Sequence, residues 1–101
     1  MTTILDSTQA QRLSELGGML SEPSRMEILR VLCEEPGGLE VKTVAARTKI
    51  RPSVASHHLQ RMLRARVVRF RSSGQTRIYE VAAELEEEFR DLLGQLFWKI
   101  G

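Results

Sequence analysis

The feature that most constrains this chain is the stretch spanning residues 43–68, TVAARTKIRPSVASHHLQRMLRARVV. It reads as two short helices joined by a tight turn, the second polar along one side and studded with arginine. Between residues 42 and 77 the sequence carries ten basic residues and no Asp or Glu, while the remainder holds five basic against thirteen acidic residues. A formal net charge of +2 therefore conceals an interval of +10 set against a remainder of −8. Segregation of that kind points to a surface made to meet a polyphosphate, carried on flanks that avoid one.

On a helical wheel, the segment from Pro52 to about Ala65 turns Ala55, Leu59 and Met62 inward. Ser53, Ser56, His57, Gln60 and Arg64 fall on the opposite side, with Arg61 at its edge. A helix of that width enters the major groove, about 12 Å across, where Ser, His, Gln and Arg reach base edges and the cations reach phosphates. An ordinary solvated face would mix both signs of charge, and here the acids are missing. Lys49 and Arg51, in the turn ahead of the helix, add two more cations on that side.

Residues 67–70 and 77–81 then alternate as strands, with Gly74 between them able to supply the positive φ of a tight hairpin. A hairpin with arginine on both strands, following a groove-reading helix, reads as a wing. Its Arg71, Gln75 and Arg77 are expected against the DNA backbone or in the minor groove. The plainer reading is a hairpin that merely caps the core.

The flanks are apolar and acidic. A helix from about residue 8 to 20 places Leu13, Leu16 and Leu20 on one stripe beside Met19, weakened by Gly17 and Gly18 by up to ~1 kcal/mol each. Pro23 opens a second helix, with Glu22 at its N-cap. Met26, Leu29 and Cys33 follow at i, i+3, i+7, flanked by Ile28 and Leu32, so this helix is expected in the core with Cys33 as a buried thiol. It stops before Glu35-Pro36-Gly37-Gly38; residues 39–41 suit a short strand, and a third helix runs from 42 or 43 to 48. The last helix is expected from near Ala82, with Leu85, Phe89, Leu92, Leu93, Leu96 and Ile100 on one face and Phe97 and Trp98 widening it. So large an apolar face on a small domain argues for a subunit contact. The expected dimer pairs Leu13, Leu16 and Leu20 of the first helix with Leu85, Phe89, Leu92, Leu96 and Phe97 of the last across a two-fold axis.

At 101 residues the chain is expected to form one domain, residues 1–101, and 42% hydrophobic with 28% charged residues is a soluble globular composition. No apolar run reaches the ~18 residues of a membrane span, and the N-terminus lacks the basic start and apolar run of a secretory signal. A single cysteine excludes an intrachain disulfide and fits a reducing cytosol, so a cytoplasmic protein is expected. There is no Ser-His-acid or Cys-His set, no phosphate-cradling glycine loop and no cluster of metal ligands, so neither an enzyme nor a cofactor is expected.

Helix, helix, helix-turn-helix, wing, helix is the order of the ArsR family of bacterial repressors, and two stretches make the similarity more than topological. LSEPSRMEILRVL resembles the family's Asp-Pro-Thr-Arg-type entry into the second helix, and IRPSVASHHLQRMLRARVVRFRSSGQTRIYEV resembles its recognition helix and wing, down to Ser56-His57-His58-Leu59. The resemblance covers nearly the whole chain. It implies a mainly helical fold with a small β-hairpin (α-α-α-α-β-β-α), dimerisation through the first and last helices, and a homodimeric repressor of an inverted-repeat operator in double-stranded DNA.

The departures bear on what is sensed. Many members bind a thiophilic metal through a Cys-X-Cys pair at the start of the third helix, and Glu40 and Lys42 stand at those positions here. Others place His, Asp and Glu ligands on the last helix, which in this chain has no histidine. His57 and His58 diverge by about 100° as helical neighbours, so they do not chelate one ion together; His58 leans towards the core. Lys49 and Arg66 stand where relatives often have glycine, and each is strained if its φ must be positive. The inducer is left unnamed. Two alternatives stay open: a winged-helix module that docks another protein, and a redox- or sulfur-responsive regulator acting through Cys33.

Overall fold

The computed structural model describes residues 5–97. These form α1 (Ser7–Leu20), α2 (Pro23–Cys33), β1 (Leu39–Glu40), α3 (Val41–Thr48), α4 (Pro52–Arg64), β2 (Val68–Ser73), β3 (Thr76–Val81) and α5 (Leu85–Phe97). Trp98 and Ile100, which widen and extend the apolar face of the last helix in the sequence, lie outside the described residues.

Each helix start has a local cause. Asp6 caps α1 by accepting from the Gln9 N–H at 2.7 Å, and the Gln9 side chain accepts from the Asp6 N–H at 3.1 Å, a reciprocal capping box. Glu22 caps α2 by accepting from the Arg25 N–H at 3.0 Å, and Pro23 occupies the first helical position. Arg25 is itself buried, because its guanidinium donates to the carbonyls of Met19 at 2.5 Å and Gly18 at 3.4 Å. A cation at the carbonyl end of α1 satisfies groups the helix leaves open and thereby fixes the α1–α2 corner.

The inward face of α2 is Ile28, Val31 and Leu32, not the Met26, Leu29, Cys33 stripe. Met26 and Cys33 are exposed and Leu29 is half-buried. The expected burial of the thiol is thus corrected. Apolar residues cover more than half of the circumference of α2, so two competing stripes satisfy the same spacing and periodicity alone does not choose between them.

The core gathers Leu16 of α1, Ile28 and Leu32 of α2, Val44 of α3, Leu59 and Met62 of α4, Val67, Val68 and Tyr79 of the sheet region, and Leu85 and Leu92 of α5. Leu16, Leu85 and Leu92 were expected at a subunit contact. They lie inside the chain's own core, where they have almost no surface to offer a partner. Leu13 and Phe89 are half-buried against the same core, Leu20 is half-buried, and Leu96 and Phe97 are exposed.

The expected hairpin is part of a three-stranded antiparallel sheet in the order β1-β3-β2. β1 pairs with β3 in the register Leu39↔Tyr79 and Glu40↔Ile78. Gly38, at φ 85, makes this possible, since a Cβ there would stand 2.7 Å from Ile78 Cγ2 and 2.8 Å from the Tyr79 carbonyl oxygen. In the hairpin, Val68 opposes Val81 and Ser73 opposes Thr76, leaving Gly74 and Gln75 as a two-residue tip with Gly74 at φ 64. Past its end, the Ala82 N–H still donates to the Val67 carbonyl at 3.0 Å. That strand-like bond holds the chain extended, so α5 starts at Leu85 rather than near Ala82.

Candidate nucleic-acid interface

α3, a turn at Lys49-Ile50-Arg51 and α4 form the helix-turn-helix. The turn closes with Lys49 in the left-handed region, φ 60 and ψ 30, while the Lys49 and Ile50 N–H groups both donate to the Ala45 carbonyl. The far end of α4 closes in the same way. Arg66 has φ 60, and the Val67 N–H donates to the Met62 carbonyl at 2.9 Å. Both left-handed positions anticipated in the sequence are thus occupied by cations with side chains.

Ala55, Leu59 and Met62 seat α4 on the core, and the opposite side is open. Arg51, Ser53, His57, Gln60, Arg61 and Arg64 are exposed, and Ser56 is half-buried, where its Oγ accepts from Gln60 Nε2 at 3.3 Å. Arg51 makes no side-chain cap. The first amide groups of α4 therefore lack that partner, and a helix start without a cap, beside Lys49 and Arg51 in sequence, suits an anion.

The basic interval divides into pinned and open charges. Arg47 is held by Glu34 at 2.9 Å and Glu35 at 2.8 Å, Lys42 lies 3.6 Å from Glu40, and Arg69 lies 3.4 Å from Glu80. Lys49, Arg51, Arg61 and Arg64 have no hydrogen bond or ion pair from their side chains among the described residues. In the wing, Arg77 lies with its guanidinium carbon 4.0 Å from the Phe70 ring centre and donates to the Tyr79 hydroxyl at 3.3 Å. Arg71 donates to the Gly37 carbonyl at 2.9 Å. Arg71 opposes Ile78 and Arg77 opposes Ser72, so strand alternation puts the two arginines on opposite faces of the hairpin. Gln75 is exposed at its tip.

The two histidines part as expected. His57 is exposed, whereas the His58 side chain is only 13% exposed, with Nε2 3.8 Å from Glu22 and Nδ1 buried without a partner. Burial holds the His58 imidazole below its ordinary range, opposed by the Glu22 carboxylate and reinforced by Arg25, His57 and Arg61.

Nothing in the sequence marks out Arg12. Its side chain is 9% exposed and joins three helices. It donates to Glu88 of α5 at 2.8 and 2.9 Å, to Glu15 of its own helix at 2.5 Å, and to the Ala65 carbonyl closing α4 at 2.7 Å. The guanidinium holds the Glu88 carboxyl below the usual carboxylate range. Beside this junction a cleft of about 520 Å³ opens between α1 and α5, lined by Gln9, Arg66, Glu84, Glu87 and Asp91 among others.

At the start of α3, the Glu40–Lys42 ion pair stands where the resemblance would put thiolates, and an ammonium and a carboxylate do not fit a thiophilic metal. Among the described residues no three His, Cys, Asp or Glu side chains come together in a way that would hold an ion. No described helix is long and apolar enough to cross a membrane.

The family of helix-turn-helix domains matches residues 20–70, the segment from the α1–α2 corner into β2. A transcriptional repressor SmtB homologue from Synechocystis sp. is 30% identical over 79 residues, covering 78% of this chain; the chain spans 58% of the length of that relative. The homodimeric winged helix-turn-helix DNA-binding domain of a possible ArsR-family transcriptional regulator from Mycobacterium bovis superposes with a TM-score of 0.69 at 25% identity, over 98% of this chain and 91% of that one. The antimony-specific transcriptional repressor AntR does so with a TM-score of 0.74 at 25% identity, over 97% and 86%. On these matches, the chain belongs to the ArsR/SmtB family of winged helix-turn-helix DNA-binding transcriptional regulators.

Proposed function

We propose that the chain is a cytoplasmic, homodimeric repressor that binds an imperfect inverted repeat in double-stranded DNA and responds to something other than a thiophilic metal. The observation that carries this is the outer side of α4, where hydrogen-bonding side chains lie between cations that no carboxylate neutralises among the described residues. Two such helices, one per subunit, enter successive major grooves about 34 Å apart or a multiple of that. Ser53, Ser56, His57 and Gln60 read base edges; Lys49, Arg51, Arg61 and Arg64 meet phosphates. Arg71, Gln75 and Arg77 bring the edge of the wing to the minor groove or the backbone alongside it. Support for two copies comes from the homodimeric Mycobacterium bovis domain.

Fluorescence anisotropy against the DNA immediately upstream of the protein's own gene and a scrambled duplex, at two salt concentrations, tests this reading. Tight, salt-sensitive binding with a large preference for the native sequence is expected. Arg64→Ala should weaken binding to every sequence and flatten the salt dependence, whereas Gln60→Ala should relax preference at one base position. Weak and equal binding to both duplexes would overturn the proposal and favour a module that docks an acidic protein.

A further inference from the structure

We propose that Val54 is a specificity-determining residue that reads a thymine through its C5-methyl group. This rests on the DNA-binding reading above and goes beyond it, because Val54 makes no hydrogen bond and carries no charge. Of the apolar side chains on α4, Ala55, Leu59 and Met62 are buried and Leu63 is half-buried, yet Val54 is 40% exposed. It stands third in the helix after Pro52 and Ser53. With His57 and Arg61 it follows the i, i+3, i+7 spacing that places all three along one edge of the helix.

Folding gives no reason for a valine there. A β-branched residue loses χ1 freedom in a helix and is a poorer helix former than alanine. The third helical position can close a capping box, but valine has no acceptor, and Arg51 makes no side-chain cap to close. Packing does not require it, as its exposure shows. What valine supplies is a stiff pair of methyl groups in the first turn, the part of a helix-turn-helix recognition helix that contacts base edges. The thymine methyl is the apolar feature the major groove presents there. Ser53, His57 and Gln60 answer donors and acceptors, and Val54 answers the methyl group.

The test begins with duplexes selected from a random pool by the full chain. Each thymine of the selected duplex is then replaced singly by deoxyuridine, which removes only the methyl group. Single replacement of one particular thymine, at the equivalent place in either half-site, should weaken the wild-type protein by about fourfold, the effect of one buried methyl. The same replacement should leave Val54→Ala unaffected, and Val54→Ala should melt no lower than wild type. Wild-type binding that ignores every replacement, or an equal loss in Val54→Ala, would overturn the proposal while leaving DNA binding intact. A drop of several degrees in the melting temperature of Val54→Ala would overturn it by showing a packing role. Failure to select any common sequence would overturn both this inference and the DNA-binding reading.

Discussion

Lys49 and Arg66 bracket α4, and both sit at φ 60, where a side chain is strained. Glycine would relieve that strain by about 1 kcal/mol. Lys49→Gly is therefore expected to raise the urea midpoint while weakening binding to every duplex, as loss of a phosphate contact would. A variant that is both more stable and binds as tightly would show that the ammonium does not meet the DNA. His58 gives a second residue-scale expectation. Its folded-state pKa is depressed by burial below the ordinary 6.5, so the unfolded chain takes up a proton that the folded chain refuses. Stability should fall as pH drops below about 6.5 and level off once the folded state also protonates. Glu22, Arg25, His57 and Arg61 are the charged and titratable groups that set this balance, and His58→Gln should flatten the melting temperature over that window. The strain at Lys49 and Arg66 is legible in the sequence through the family resemblance, because relatives often have glycine at those points. The Arg12 junction is not, since it joins residues 76 apart and depends on how α1, α4 and α5 pack.

At the scale of elements, the strongest single constraint is the approach of Gly38 to β3. An alanine there combines a positive φ with contacts of 2.7 and 2.8 Å, and the nearer backbone atom has nowhere to move. Gly38→Ala is expected to cost about 3 kcal/mol in urea unfolding. The loss should appear first as faster amide exchange at Leu39 and Tyr79, one of the two pairs that join β1 to β3. A stability change below about 0.5 kcal/mol would mean that β1 contributes nothing to the fold. α4 illustrates what periodicity fixes well: Ala55, Leu59 and Met62 follow i, i+4, i+7, and the polar Ser53, Ser56, His57 and Gln60 mark the opposite side, so the inward face is identified from the sequence. α2 illustrates the opposite, with apolar residues on both Ile28 and Leu29 sides, and there the choice of face belongs to tertiary packing. Strand ends behave similarly. The bond from the Ala82 N–H to the Val67 carbonyl delays α5, and no local pattern announces it.

For the molecule as a whole, the proposed dimer is expected to form through the apolar end of α5, where Leu96 is exposed, whereas Leu92 one turn earlier is in the core. Leu96→Glu is expected to raise the dimer dissociation constant by roughly tenfold or more in sedimentation equilibrium. The melting temperature extrapolated to low protein concentration should be unchanged. An unaltered dissociation constant would place the subunit contact elsewhere. The separation of charge along the chain has a further consequence. With the open cations on α4 and in the turn before it, and Glu84, Glu87 and Asp91 around the cleft between α1 and α5, the two signs of charge sit on different elements and give the protein an electric dipole. A duplex approaching from the acidic side is repelled and one approaching α4 is drawn in, so the protein is turned towards its target before any atoms touch. Productive encounters then become a larger share of collisions, and added salt, by screening the dipole, should slow association more than it hastens release.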